Sequence, residues 1–443
     1  MENTMPLQAP RGTSDILPES QFQWNYFREA AELIASIHGY EKIDTPIFEY
    51  HDVFSRAVGT STDVMEKETY TFTDRGGELI TLRPEGTAPV CRAFIEHGMH
   101  NSPLPIRLFY ISPIFRYERP QSGRYRQHHQ FGMELLGSEN PEGDAEVVSA
   151  AWQLLKKLGL KNLNLLVNSI GDSNCRPKYM QNLISFYSDK ISSLCTDCER
   201  RFENNPLRLL DCKNPKCQEI IDQAPKSIEN LCKDCAHHWD KLCENLDIFG
   251  LTFSVDNRLV RGFDYYTRTV FEIIPPTEGR MSTLAGGGRY DGLISQLGGK
   301  YTPGMGFGMG IERVLQNLSK DNLIPQTHLI TKVLIIQASK ETSIFEKCCK
   351  YLSVKLRDNS IPTVLAPIDR SVRSQMRYGN SINASHAIII GESELSENVV
   401  TVRNFNSGEQ LQIPLKFEID ASQNSIITLE NIDSSKLLQY FKN

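Results

Sequence analysis

A chain of 443 residues is longer than one hydrophobic core serves, so two or three domains are expected. With 40% hydrophobic and 23% charged residues, no apolar run near the ~20 of a membrane helix and no basic-plus-apolar signal pattern, a soluble cytoplasmic protein without membrane contact is expected. Eleven unevenly spread cysteines fit a reducing compartment better than a disulfide framework, and a net charge of −6 offers no global attraction to nucleic acid.

Residues 10–18, PRGTSDILP, read as an ordered, non-helical opening. Between 21 and 38, Trp24, Phe27, Ala31, Ile34 and Ala35 recur at helical spacing, predicting an amphipathic helix that Gly39 ends. In YEKIDTPIFEY, 40–50, Pro46 argues for an edge strand or a strand start. Strands over 69–73 and 79–82 flank a turn at Asp74, Arg75, Gly76 and Gly77. They run into RPEGTAPVCRAF, where a strand gives way to a helix from Thr87 onward. From spacing alone, Glu85 is best read as a helix-start carboxylate facing the dipole.

The main hairpin is predicted over 106–137. Its first arm is rich in β-branched and aromatic residues. The second alternates Gln130, Gly132 and Glu134 on one face with Phe131, Met133 and Leu135 on the other, and Pro120 and Gly123 break the pattern between the arms. A half-solvated sheet would account for Arg116, Glu118, Gln130 and Glu134 on the polar face. Against that, Arg119, Arg124 and Arg126 crowd the loop, and an arginine-rich loop above a polar floor suits a phosphate ligand.

A helix is expected over 145–158 and a strand over 163–168. Residues from about 172 to 250 are polar, helix-prone and cysteine-rich, and read as an inserted module. Within it the C-x-x-C pairs Cys195/Cys198 and Cys232/Cys235 can each chelate one edge of a tetrahedral zinc site. However, 33 residues separate the pairs, and Cys212, Cys217, His237 and His238 compete as ligands. Free thiols are the equal alternative.

Next, LVRGFDYYTRTVFEI (259–273) sets Arg261, Tyr265 and Tyr266 at the start of an aromatic, β-branched strand; tyrosine-rich strands are also common core elements. AGGGRYDGL (285–293) has three glycines that let backbone approach a ligand, and Tyr290 offers a hydroxyl and a ring. In GMGFGMGIERVL (304–315) glycines with a period of two strip one strand face, leaving a flat surface fit for an adenine ring. Arg313 lies in the first turn of the following helix, well placed for phosphate. No βαβ unit with a downstream acidic residue is apparent, which argues against a dinucleotide fingerprint. The tail alternates apolar strands at 332–336, 363–365 and 386–390 with helices at 344–357 and 372–382, and continues into an edge at 398–403. That order implies a small α/β domain with a mostly parallel sheet. Its last 113 residues carry 13 Lys and Arg against 12 Asp and Glu, so they are +1 and the remainder is −7. Any RNA contact must come from local basic patches.

FRYERPQSGRYRQHHQFGMELLG (115–137) resembles the second signature motif of the class II aminoacyl-tRNA synthetases, in the form found in the histidyl-tRNA synthetase family. The helix and strand of 21–50 resemble motif 1, and 304–315 resemble motif 3. RG-DYYTRTVFE and AGGGRYDGL are similar to the two histidine-specific segments, with Phe263 where leucine is more usual. The resemblance covers essentially the whole chain, in family order. It implies an α/β fold (an α+β catalytic core): an antiparallel sheet flanked by helices at 1–328, a mostly helical insertion at 172–250, and a C-terminal α/β anticodon-binding domain at 329–443. It implies a homodimer, with motif 1 at the interface.

The implied reaction activates L-histidine with ATP to histidyl-adenylate and pyrophosphate, then transfers histidine to the 3′ end of tRNA(His). Arg261 and Arg116 would be catalytic cations on the α-phosphate, Arg261 acting where other class II enzymes place a metal ion. Arg116, Glu118, Arg124 and Arg313 would bind ATP together with Mg²⁺. Glu85, Gly86, Thr87 and Gln130 would hold the amino end of histidine. Glu134, with Tyr265, Tyr266 or Tyr290, would read the imidazole. Arg119 and Gln121 are expected at the tRNA acceptor stem, and a structural zinc at Cys195, Cys198, Cys232 and Cys235 would hold the insertion together. The rival is a non-catalytic, histidine-sensing regulatory paralogue of histidine biosynthesis. Such chains usually lack the anticodon-binding domain and parts of the histidine-specific segments, which are present here.

Overall fold

The computed structural model describes residues 6–59, 64–121, 123–276, 283–325, 332–339, 343–415, 417 and 435–442. Contacts divide the chain into two compact units, Met1–Pro325 and Gln326–Asn443.

The first unit opens with α1 (Gln21–Ile37), β1 (Glu41–Lys42), β2 (Phe48–Tyr50), α2 (His51–Val58), β3 (Tyr70–Thr73), β4 (Leu79–Leu82) and α3 (Thr87–Glu96). The central hairpin follows as β5 (Ile106–Phe115) and β6 (Gln127–Leu136), then α4 (Pro141–Lys157) and β7 (Asn164–Ser169). Four helices come next: α5 (Arg176–Tyr187), α6 (Thr196–Asn204), α7 (Pro215–Asp222) and α8 (Lys233–Ile248). The unit closes with β8 (Phe253–Val255), β9 (Thr267–Ile274), β10 (Ala285–Arg289), α9 (Leu293–Gln296), β11 (Gly304–Gly310) and α10 (Ile311–Lys320).

Eight strands form one sheet in the order β1-β5-β6-β11-β10-β9-β7-β8. The six central strands pair antiparallel, and each edge adds a parallel partner. Strands β2, β4 and β3 form a separate small sheet. Because side chains alternate along a strand, the eight-stranded sheet has two distinct faces. On one, Phe131, Met133, Leu135, Phe271 and Phe307 pack with Phe27 of α1, Leu154 of α4, Leu242 of α8 and Val314 of α10. Burying a side chain of phenylalanine size contributes ~1.5–3 kcal/mol, so this face fixes the register of β6 and β11. On the other, Leu108, Tyr110, Val270 and Tyr290 meet Phe54 of α2, Phe94 of α3 and Leu183 of α5. That same face carries Gly132 and Glu134, and the candidate site is built on it.

Helix α4 illustrates the local logic. Pro141 takes its first turn, Glu142 and Asp144 face its positive end, and Lys156 and Lys157 its negative end. Asp144 is fully buried and pairs with the equally buried Arg289 of β10, which ties the helix to the sheet.

The second unit contains β12 (Val333–Gln337), α11 (Ser343–Asp358), β13 (Thr363–Leu365), α12 (Val372–Ser381), β14 (His386–Ile390), α13 (Glu392–Glu397), β15 (Val399–Asn404), β16 (Gln410–Pro414) and α14 (Ser435–Lys442). Its sheet runs β13-β12-β14-β15-β16, parallel among the first three strands and antiparallel beyond. The expectation of an edge at 398–403 is therefore corrected: β15 is internal and β16 forms the edge. Residues 410–414, QLQIP, do alternate polar and apolar, but over only five residues ending in a proline, and four of the five are exposed. Across the described residues, no helix is long and apolar enough to cross a membrane.

Candidate active site

The glycine strand β11 does not present the bare surface expected of it. A Cβ added at Gly304 would collide with the Tyr290 ring, at Gly306 with the Glu134 carboxylate, and at Gly308 with the Gln130 amide. Missing side chains thus make room for three neighbouring ones rather than for a ring from outside. Register explains it: Gly306 lies opposite Glu134 on β6, and Gly308 opposite Gly132. Gly86 and Gly132 have the same relation to Tyr110, whose ring would collide with a Cβ at either position. The Tyr110 hydroxyl reaches Gln130 Oε1 at 3.4 Å and Glu134 Oε1 at 3.5 Å. Sequence reasoning missed Tyr110. The available signal was Gly132, an isolated glycine in a strand of large residues, which sits directly across from it.

Two buried carboxylates lie at the start of α3. Glu85 accepts from the backbone N–H groups of Thr87 at 2.6 Å and Ala88 at 2.7 Å, the capping role that spacing alone favoured. Burial pushes its pKa up, with those two N–H groups working against the rise. Glu134 accepts from Thr87 Oγ1 at 2.8 Å and from the Tyr290 hydroxyl at its other oxygen. Burial pushes the Glu134 pKa up to about 8, against the hydrogen bonds from Tyr290 and Thr87, so its proton is largely retained at neutral pH. The Tyr265 ring packs 4.6 Å from Tyr266 and 5.9 Å from Tyr290. Glu85, Gly86, Thr87, Gln130, Glu134 and the three predicted tyrosines therefore share one buried, hydroxyl-lined floor.

Arginines gather beside it. Arg261 crosses Gly286 and pairs through Nη1 with Glu272, whose other oxygen accepts from the Thr283 hydroxyl at 2.9 Å. Arg116 donates from Nε to the Pro84 carbonyl at 2.7 Å and stands 5.6 Å over the Phe263 ring. Glu118 lies 3.9 Å from Arg116 and 3.3 Å from Arg124. Arg313 donates from Nε to Gly123 O at 2.9 Å, joining α10 to the hairpin loop. Arg116, Arg124, Arg261 and Arg313 all border one hollow of about 140 Å³, together with Gln130 and Gly308. His128 is on the same wall, and burial, aided by Arg116 and Arg313, lowers its pKa to about 3, so it stays neutral. The hollow shares Arg116, Arg124 and Arg313 with a wider cleft of about 1610 Å³ whose lining includes Gln121. Arg119 is exposed and borders neither cavity. Glu272 and Thr283 were not foreseen, because their contacts, each across 11 residues, depend on how β9 and the chain leading into β10 fold back beside Arg261.

The expected four-cysteine set does not assemble. Cys195 and Cys198 group with Cys212 and Cys217, whereas Cys232 and Cys235 group with Asp172 and Cys175. Each C-x-x-C pair starts its own helix, α6 or α8, and is completed by a different turn. His238 instead lies 3.5 Å from Asp144 in the core.

A family model described as histidyl-tRNA synthetase matches residues 12–314, and one described as anticodon binding domain matches 332–424. A histidine–tRNA ligase of Dehalococcoides mccartyi (strain CBDB1) is 47% identical over 408 residues, 92% of this chain and 97% of that one. Another, of Thermoanaerobacter sp. (strain X514), is 47% identical over 412 residues, 93% and 98% of the two chains. The solved apo histidyl-tRNA synthetase of S. aureus aligns with a TM-score of 0.78 at 34% identity, covering 99% of this chain and all 100% of that one. A Bacillus halodurans structure described as an ATP phosphoribosyltransferase regulatory subunit/histidyl-tRNA synthetase shares the fold, with a TM-score of 0.62 at 22% identity over 88% of this chain and 99% of that one. Sheet, site and matches together define the class, that of the class II aminoacyl-tRNA synthetases. Within it, the chain belongs to the histidyl-tRNA synthetase family.

Proposed function

We propose that this site activates L-histidine with ATP and then charges tRNA(His). The observation that carries the reading is the junction of a buried glutamate–tyrosine floor with a hollow ringed by four arginines. The floor suits a small polar amino acid, and the hollow suits the phosphates of a nucleotide.

In the first step a carboxylate oxygen of histidine attacks the α-phosphorus, and the bond to pyrophosphate breaks. Charge builds on the α-phosphate oxygens, so Arg261 and Arg116, held in place beforehand by Glu272 and by Pro84 O, lower the barrier. Arg124, Arg313 and Glu118 hold the rest of ATP. Glu118, at the edge of the hollow, would supply the carboxylate oxygen that a Mg²⁺ counter-ion of the nucleotide takes, and the ion would offset phosphate charge there. Glu85, Gly86, Thr87 and Gln130 receive the ammonium group. Glu134, with Tyr265, Tyr266 and Tyr290, offers the donors and acceptors that two imidazole nitrogens require. In the second step the terminal ribose hydroxyl of tRNA attacks the carbonyl carbon and AMP leaves. Arg119 and Gln121 guide the acceptor end, and residues 329–443 read the anticodon.

The working form in this reading is a cytoplasmic homodimer. Ile47, Phe48, Tyr50, Phe72 and Leu79 are large apolar residues left exposed on and beside the small sheet, a surface that a second copy would cover. Steady-state charging of tRNA(His) and of an unrelated tRNA with labelled histidine tests the proposal. Charging of tRNA(His) alone is the expected result. Histidine binding without AMP formation would favour the regulatory reading instead.

A further inference from the structure

Away from this site, four sulfurs converge inside the first unit. The Sγ atoms of Cys195, Cys198, Cys212 and Cys217 all lie within 4.8 Å of one another, and Cys195 and Cys212 are 3.8 Å apart. Four thiolates at ~2.3 Å from a tetrahedral zinc ion are separated from each other by about 3.8 Å. A disulfide would require about 2.05 Å, and the described cysteines are all free. Two backbone N–H groups point at this cluster: Cys195 N donates to Cys217 Sγ at 3.3 Å and Asn214 N to Cys212 Sγ at 3.4 Å. A neutral thiol is a weak acceptor, whereas a thiolate sulfur gains from such donors.

The two short helices of this segment bury little apolar surface of their own. Among the residues of α6 only Cys198 is buried, and in α7 only Cys217 and Ile221 are. Helices of nine and eight residues with so little apolar cover are marginal on their own.

We propose that Cys195, Cys198, Cys212 and Cys217 bind one Zn²⁺ as a closed, structural tetrathiolate site. All four positions are taken by sulfur, so the ion has no open place for water and serves the fold. It pins the starts of α6 and α7 to each other. Cys195 and Cys212 also line the wider cleft beside Arg124 and Gln121, so the ion stiffens a wall of that cleft. The second group, Asp172 with Cys175, Cys232 and Cys235, lies outside the proposal. There Arg268 and the Asn174 N–H already engage the carboxylate, at 3.2 and 2.9 Å.

Plasma mass spectrometry of the full-length, tag-free protein reads zinc directly. Cys198→Ser is expected to lower the content by about one ion per chain, and Cys198→His, which keeps a zinc-binding side chain, to restore it. Equal zinc in the parent and Cys198→Ser overturns the proposal. Should Cys198→Ser fail to fold, crystals of the parent decide: an anomalous peak at the zinc edge amid these four sulfurs supports the site, and its absence there overturns it.

Discussion

Arg261 makes the difference between a cation and a bidentate cation measurable. Lysine would keep the charge beside Glu272 but lose the planar fork that can grip Glu272 and a phosphate together. Arg261→Lys is expected to slow adenylate formation more than tenfold, about 1.4 kcal/mol, with an unchanged circular dichroism spectrum. A smaller loss in pre-steady-state assays would remove it from the chemistry. Glu134 makes a prediction in pH. Its folded pKa of about 8 lies above the ordinary 4.5, so across that window the folded chain holds a proton the unfolded chain releases. The contribution of Glu134 to stability therefore falls as pH rises from about 4.5 to about 8 and levels off above, with Glu85 acting in the same direction and the lowered pKa of His128 acting against it below about 6.5. Glu134→Gln removes one such proton and should flatten the slope by up to about 1.4 kcal/mol per pH unit, read from denaturant midpoints between pH 5 and 8. Superimposable curves would contradict the assignment. At this scale the motif residues were legible because their types and spacing travel with the sequence. Tyr110 was not, since its importance depends on the space that two glycines, 46 residues apart at 86 and 132, leave around it.

Hairpin β5–β6 was readable as an element because alternation and turn residues are local properties. The period-two glycines of β11 were equally visible, but their purpose was not, because it depends on which strand pairs alongside. Pairing β11 with β6 fills the bare face with Glu134 and Gln130. Gly306→Ala tests this: the new Cβ would collide with the Glu134 carboxylate and stand 2.8 Å from the Met133 carbonyl oxygen. Overpacking of this kind costs about 1–3 kcal/mol. The variant is expected to lose that much stability and to weaken histidine binding at least tenfold by calorimetry, about 1.4 kcal/mol. Unchanged binding would show that Glu134 is not held by the glycine strand. Similarly, two C-x-x-C pairs can be found by eye, whereas the turns that complete each of them come from elsewhere in the insertion.

At the scale of the molecule, the two units have separate hydrophobic cores, one pair on the large sheet and one pair on the small parallel-centred sheet. Every residue assigned to activation lies in the first. A chain ending at 325 is therefore expected to retain histidine-dependent pyrophosphate exchange and to lose tRNA charging by at least a hundredfold, about 2.7 kcal/mol. Loss of both activities would mean that the units are not separable in function. The alternation of strands and helices made the second unit legible, except for β16, a five-residue strand that ends in a proline. Exchange of labelled pyrophosphate into ATP with each amino acid in turn, without tRNA, tests the account most directly. Exchange with histidine alone is expected. Exchange with a different amino acid, or none while histidine still binds the folded protein, would contradict it.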